Sequence, residues 1–216
     1  MNLAEYYWWF ESVIPEALCD EIIKYGNLHN KKLATTGNFT DEKLNKEQEE
    51  KLKKERNSNV VFLDEAWIYK EIQPYIYVAN RNARWDFQWE MSETCQFTTY
   101  GPNQHYDWHC DSFKKPYDKP PFRKGLIRKL SMTLSLTDPE EYEGGDFQFD
   151  FRDTKSKNIL TCKEIKKKGS IVVFPSFVWH RVTPVTKGIR NSLVCWNLVW
   201  NETRWDRNKF TFISRV

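Results

Sequence analysis

The segment His109-Cys110-Asp111 places an imidazole and a carboxylate two residues apart. On a β-strand, residues i and i+2 project from one face, so His109 and Asp111 converge while Cys110 turns away. A pair this short arises often by chance. It gains meaning from His180, a second histidine far downstream in a strand-like stretch, and from Arg190 beyond it. Two imidazoles and one carboxylate on one side of a divalent ion leave three coordination positions open, the arrangement of mononuclear non-haem Fe(II) centres. The same donors also suit zinc. Such a ligand set carries one negative charge, so the metal site stays net positive. A dianionic 2-oxo acid can then chelate through its carboxylate and keto oxygens, leaving one position for O2. Its far carboxylate would be costly to bury alone. The two-pronged guanidinium of Arg190 is a suitable partner.

These residues fall in a region whose pattern is that of short strands. From about residue 94, segments rich in β-branched and aromatic residues alternate with turn signals. They are 95–100, 105–111, 129–137, 146–151, 159–165, 170–175, 179–185 and 191–200, separated by pairs such as Asp138-Pro139, Gly144-Gly145 and Lys187-Gly188. Eight short strands at this rhythm suggest a barrel or a double-sheet jelly roll. The first ninety residues read as mainly helical. Pro15 and Glu16 open a helix carrying Leu18, Ile22 and Ile23 as far as Gly26, and Trp67, Ile68, Ile72, Tyr75 and Ile76 mark another, bent or split at Pro74. The run 41–57 contains almost no apolar residues, reads as a solvated helix or a loose excursion, and receives no functional weight.

Composition narrows the class of protein. The chain has 216 residues with 33 Lys and Arg against 30 Asp and Glu, so phosphate attraction does not dominate it. With 40% hydrophobic and 16% aromatic residues, the chain as a whole is not intrinsically disordered. No apolar run reaches the roughly 18 residues of a membrane span, and the first residues do not read as a secretory signal. Five scattered cysteines without a CxxC pair argue for reduced, buried thiols in a cytoplasmic setting. One domain is expected, 1–216, with helical support over 1–93 and a β core over 94–216.

The stretch from about Gln96 to Trp200 resembles the iron- and 2-oxoglutarate-dependent dioxygenases of the prolyl 4-hydroxylase-like superfamily. The resemblance is carried, in order, by Tyr100-Gly101, by His105 to Asp111, by Glu143-Gly144-Gly145-Asp146, by Gly169 to Ser176, by Trp179 to Val185 and by Gly188 to Leu193. It implies a mainly β, α+β fold: a double-stranded β-helix of jelly-roll or cupin-like type, buttressed by N-terminal helices. His109, Asp111 and His180 would hold Fe(II), and Arg190 would bind the distal carboxylate of 2-oxoglutarate. Tyr100 occupies the place of a tyrosine that hydrogen-bonds the co-substrate. Thr133 and Ser135, on one face of the following strand with Ser131, are further candidates, and Trp196 resembles the tryptophan that closes the substrate side.

The resemblance further implies O2 as oxidant, L-ascorbate as a supporting reductant, and a protein or peptide containing proline as substrate. Asp111 argues against the related halogenases, which lack that carboxylate. Trp196 stands where nucleic-acid demethylases of the superfamily carry a second arginine, which argues against nucleic acid. A free amino acid, a small metabolite or a nucleobase stays open as substrate. So do a non-catalytic metal-binding jelly-roll module and a zinc hydrolase. Arg190 and Tyr100, placed to hold a dicarboxylate, speak against the last two. His29 reads as a surface or capping residue, and His105 as a structural one. Asp146 reads as turn chemistry. The basic loop 112–129 reads either as an exposed loop or as a lid for an acidic substrate.

Overall fold

The computed structural model describes residues 5–36, 44–152 and 159–200; the remainder of the run 41–57 and of the core, at 41–43, 153–158 and 201–216, lies outside them. Helices α1 (Glu16–Asn27), α2 (Lys46–Glu55) and α3 (Ala66–Asn82) fall in the first part of the chain. So do five short strands: β1 (Trp8–Phe10), β2 (Lys32–Leu33), β3 (Arg56–Asn57), β4 (Asn59–Leu63) and β5 (Met91–Ser92). The strands of the core are β6 (Cys95–Tyr100), β7 (His105–His109), β8 (Leu126–Ser135), β9 (Tyr142–Gly144) and β10 (Phe147–Asp150). They continue with β11 (Leu160–Thr161), β12 (Ile171–Pro175), β13 (Trp179–Val182), β14 (Val185–Gly188) and β15 (Arg190–Trp200).

Two antiparallel sheets face one another. The major sheet runs β1-β12-β8-β15-β6-β4-β2, with β5 added beside β15; the minor sheet runs β11-β10-β13-β7-β3; β14 and β9 form a separate pair. This mainly β architecture, with helices against one sheet, is the double-stranded β-helix expected. The region before residue 94 is less purely helical than its sequence suggests. Its strands are too short to show a period, yet β1 pairs with β12, β3 with β7 and β4 with β6, so this region extends both sheets.

Alternation along the major sheet decides what faces the site. Leu130, Met132 and Leu134 of β8, Leu193 and Cys195 of β15, and Cys95 and Phe97 of β6 join α3 in one apolar cluster. The intervening residues turn to the other face. Because both faces are covered, β6 is buried along its whole length despite its Thr and Gln residues. α3 presents Ile68, Ile72, Ile76 and Ala79 to this cluster at helical spacing. Each buried isoleucine contributes on the order of 2 kcal/mol. Pro74 does not split α3, which stays continuous to Asn82.

The charged run forms α2, started by a capping box between Asn45 and Gln48 and laced by Glu47–Lys51 and Glu49–Lys53 pairs. Leu52 is its single buried side chain. Arg56, which caps the C-terminus of α2, is only 5% exposed.

Candidate active site

His109 closes β7 and His180 lies on β13, directly opposite it in register. Asp111 stands just beyond the end of β7, so strand alternation does not aim it, contrary to the sequence expectation. Its backbone N–H and that of Ser112 both donate to the Ser176 carbonyl, at 2.8 and 2.9 Å, and this clamp turns the carboxylate inward. The ligand atoms of His109, Asp111 and His180 all lie within 4.8 Å of one another. Nε2 of His109 is 3.7 Å from Oδ1 of Asp111, and Nε2 of His180 is 3.6 Å from Oδ2.

Hydrogen bonds fix which nitrogen of each ring is available. Nδ1 of His109 lies 2.7 Å from the Asp107 carbonyl, and Nδ1 of His180 lies 2.9 Å from that of Val178. A carbonyl can only accept, so Nδ1 carries the proton and Nε2 keeps its lone pair. Burial, followed by the neighbouring His180, holds His109 well below the ordinary histidine pKa, so its ring is neutral near pH 7. Burial opposes the charge of Asp111, yet His180, His109, Arg128 and a hydrogen bond from Ser131 outweigh it and lower its pKa. Two imidazole nitrogens and one carboxylate are the donor set that suits a divalent iron.

The Ser131 hydroxyl lies 2.7 Å from Oδ2 of Asp111 and 2.9 Å from the Ser176 hydroxyl. Sequence reasoning grouped Ser131 with Thr133 and Ser135 but passed it over. The pairing of Phe174 on β12 with Ser131 on β8, two residues before Ser176, could have signalled it only once the register was known. Tyr106 stacks on His109 with ring centroids 3.4 Å apart, and Phe147 and Phe174 pack on His180 at 5.5 and 4.7 Å.

The cavity beside these ligands is also lined by Arg190, Tyr100, Thr133, Ser192, Val194 and Trp196. Arg190 is only 2% exposed and pairs across the sheet with Tyr100. Its hydrogen bond to the Ser192 hydroxyl is long, at 3.4 Å, and among the described residues no carboxylate pairs with it. A guanidinium buried in this way fits a carboxylate guest. Burial raises the pKa of Tyr100, while Arg56 and Arg190 oppose the rise, and its hydroxyl stays protonated as a donor. The cavity brings together all the expected residues except Ser135, which is buried in the same strand but is not part of the lining.

The Gly144-Gly145 turn has a larger part than its sequence indicates. A Cβ on Gly144 would lie 2.3 Å from the Pro184 carbonyl, and one on Gly145 would lie 2.9 Å from Cδ of Arg190. Both glycines have positive φ, and the second leaves the channel in which the arginine stem runs. Asp146 follows as turn chemistry, with its N–H bonded to Thr183 Oγ1 at 2.8 Å.

The basic loop is neither free nor wholly exposed. Glu93, 4% exposed, accepts from Tyr117 at 2.5 Å and from Arg128 at 3.0 and 2.5 Å, and Arg123 lies 3.6 Å away. Arg128 in turn sits 3.9 Å over the Trp196 ring, so the loop is tied to a wall of the cavity. His29 and His105 bond the carbonyls of Tyr25 and Lys54, away from the three ligands.

A double-stranded β-helix that turns two imidazoles and a carboxylate toward one cavity, with a buried arginine in the same lining, has the donor set and the anion partner that a mononuclear iron oxygenase consuming a 2-oxo acid requires. The comparisons with known proteins agree. Residues 95–197, just under half of the chain, match the family model of the 2OG-Fe(II) oxygenase superfamily. The superfamily uses ferrous iron, 2-oxoglutarate and O2.

A PKHD-type hydroxylase of Klebsiella pneumoniae subsp. pneumoniae is 35% identical over 101 residues, 46% of this chain and 41% of that protein. One from Picosynechococcus sp. is 32% identical over 107 residues, 50% of this chain and 42% of that protein. The chain thus spans about two fifths of the length of the curated relatives it matches. Among solved structures, the viral collagen prolyl hydroxylase of Paramecium Bursaria Chlorella virus-1 gives a TM-score of 0.61 at 19% identity, covering 90% of this chain and 97% of that one. A Pseudomonas putida prolyl-4-hydroxylase gives 0.62 at 19%, covering 89% and 91%. At such identity these two show the shared fold. No described helix is long and apolar enough to cross a membrane.

Proposed function

We propose that this chain is a 2-oxoglutarate-dependent dioxygenase that hydroxylates a prolyl residue in a protein or peptide. The observation that carries the reading is the lining of one cavity: three ligand atoms within 4.8 Å of one another, and the unpaired guanidinium of Arg190 in the same lining. His109, Asp111 and His180 would hold the iron through Nε2, a carboxylate oxygen and Nε2. Arg190 and the Tyr100 hydroxyl would bind the distal carboxylate of 2-oxoglutarate, and Thr133 would line its path. Bound iron, 2-oxoglutarate and O2 supply the oxidising power to hydroxylate an unactivated C–H bond, with succinate and CO2 as co-products. The protein's part is orientation and exclusion of water: Trp196, covered by Arg128, walls the cavity beside Ser131 and Asp111. Ser135, outside the cavity lining, is left out of the site.

Prolyl hydroxylases among the structural neighbours favour a proline substrate. The same chemistry on a free amino acid or small metabolite is the alternative reading. All five cysteines are unpaired, which supports a cytoplasmic location. The test is conversion of 2-oxoglutarate to succinate with added Fe(II), joined to mass spectrometry of proline-containing peptides for the gain of one oxygen atom. Absence of succinate, together with unchanged metal content in His109→Ala, would refute the oxygenase reading.

A further inference from the structure

Arg56 stands outside the matched oxygenase domain, on β3 at the end of the charged run, yet it lines the cavity with the metal-ligand candidates. It is 5% exposed, and its donors are unevenly used. Nε bonds the Ser58 hydroxyl at 3.1 Å and Nη1 bonds the Thr35 carbonyl at 3.2 Å. Nη2 is buried with no partner, and no carboxylate pairs with Arg56 among the described residues. By contrast Arg128, a partly buried arginine nearby, is engaged by Glu93 through Nε and Nη2.

The guanidinium is also held in a fixed pose. It lies 4.3 Å over the Tyr106 ring, whose other neighbour is the His109 imidazole at 3.4 Å. Ser58, which holds Nε, also acts on the Tyr100 hydroxyl and opposes the rise that burial causes in its pKa, and Tyr100 is the cross-strand partner of Arg190. Arg56, Tyr100 and Arg190 thus share the lining of one cavity, and the fully buried Ser58 holds Arg56 in place. Two buried guanidinium groups face a cavity whose one buried carboxylate, Asp111, is committed to the imidazoles and Ser131. An unpaired, immobilised, buried cation of this kind is expensive unless a guest anion completes it.

We propose that Arg56 is a second carboxylate-binding residue of this cavity, with Nη2 as the donor kept for the ligand. Resting on the oxygenase reading above, the carboxylate has two sources: 2-oxoglutarate itself, or an acidic group of the prime substrate next to the carbon that is oxidised. In the second case Arg56 sets specificity for an anionic substrate.

The test is anaerobic equilibrium binding, by calorimetry, to wild type, Arg56→Gln, Arg56→Lys and Arg190→Gln. The probes are 2-oxoglutarate with Fe(II), and acetate before and after saturation with 2-oxoglutarate; acetamide is the uncharged control. Arg56→Gln is expected to weaken one anion roughly 10- to 100-fold, the loss of one charge-assisted hydrogen bond. Arg56→Lys should fall between, and acetamide binding should not change. A loss for 2-oxoglutarate assigns Arg56 to the co-substrate. A loss confined to acetate on the saturated protein assigns it to the prime substrate. Anion affinities within twofold of wild type in a folded Arg56→Gln overturn the proposal. Should that variant not fold, Arg190→Gln decides: it retains an acetate site if Arg56 is one, and loss of all anion binding overturns it. Acetate reads Arg56 even in a protein that fails to turn over 2-oxoglutarate, so the two readings can fail separately.

Discussion

Gly145→Ala should separate the co-substrate function from the fold. The new methyl would sit 2.9 Å from Cδ of Arg190 and 3.0 Å from Cγ2 of Val185. Arg190 is held at the middle of its stem, in a buried channel, so it cannot swing away without moving its guanidinium. The residue also has φ +60°, where a side chain costs about 1–2 kcal/mol. For a chain of this size that strain corresponds to a fall in Tm of roughly 2–8 °C. A displaced guanidinium that loses about 1.4 kcal/mol of its hold on the distal carboxylate raises the Kd for 2-oxoglutarate about tenfold. The assay pairs thermal unfolding with 2-oxoglutarate binding, in the parent and in an Arg190→Lys background. A lysine stem without the fixed fork should yield to the methyl, so the added effect on affinity should shrink there. Gly144→Ala, which meets the Pro184 carbonyl at 2.3 Å, should lose stability without the selective effect on affinity. The reasoning is refuted if Gly145→Ala lowers Tm but leaves the 2-oxoglutarate affinity within twofold.

Ser131→Ala removes the hydrogen bond to Oδ2 of Asp111; Fe(II) affinity, measured by competition with a chelator, should fall roughly 10- to 100-fold with the fold intact. Glu93→Ala strands Arg128 and releases Tyr117 and Arg123, and should cost about 3–5 kcal/mol in denaturant unfolding. In metal-free protein the folded pKa of His109 lies below its ordinary value of 6.5, so the unfolded chain binds the extra proton first. Stability should therefore decline as pH falls below about 6.5, and the slope should be shallower in His109→Gln. Asp111, whose pKa is also lowered, contributes stability above the ordinary carboxylate value that is lost as pH falls through its folded value.

The ligands were legible in the sequence because their order along the chain is a pattern, and β6, β12 and β15 were legible because turn signals bound them closely. What was hidden depends on register. Ser131 reaches Asp111 only because β12 and β8 pair so that Ser176 and Ser131 meet, and no local pattern encodes that. Arg56 was concealed by its company: charged neighbours on α2 are solvated, and nothing in a run of like residues marks the one that turns inward. Short strands such as β1 and β3 carry two or three residues, too few for a period of two to be read. Nothing local in the sequence marks Glu93 either, because the groups that hold it, Tyr117, Arg123 and Arg128, come from a loop and strand more than twenty residues downstream.

The site is divided between the two sheets, and this division makes their spacing part of the chemistry. His109 and His180 belong to the minor sheet, whereas Arg190, Tyr100, Thr133 and Trp196 belong to the major one. Asp111 joins them, clamped to Ser176 beyond the end of β12 and bonded to Ser131 on β8. A bound metal is therefore tied to both sheets at once. Phe174, on β12 of the major sheet and 1% exposed, packs 4.7 Å from the His180 ring and 5.8 and 5.2 Å from Phe147 and Phe149 of the minor sheet. Interiors are close-packed, so this aromatic stack acts as a spacer that sets how far the imidazoles stand from the arginine. The distance that a five-carbon dicarboxylate would have to span between the imidazoles and Arg190 is thus set by apolar packing as well as by the polar residues themselves.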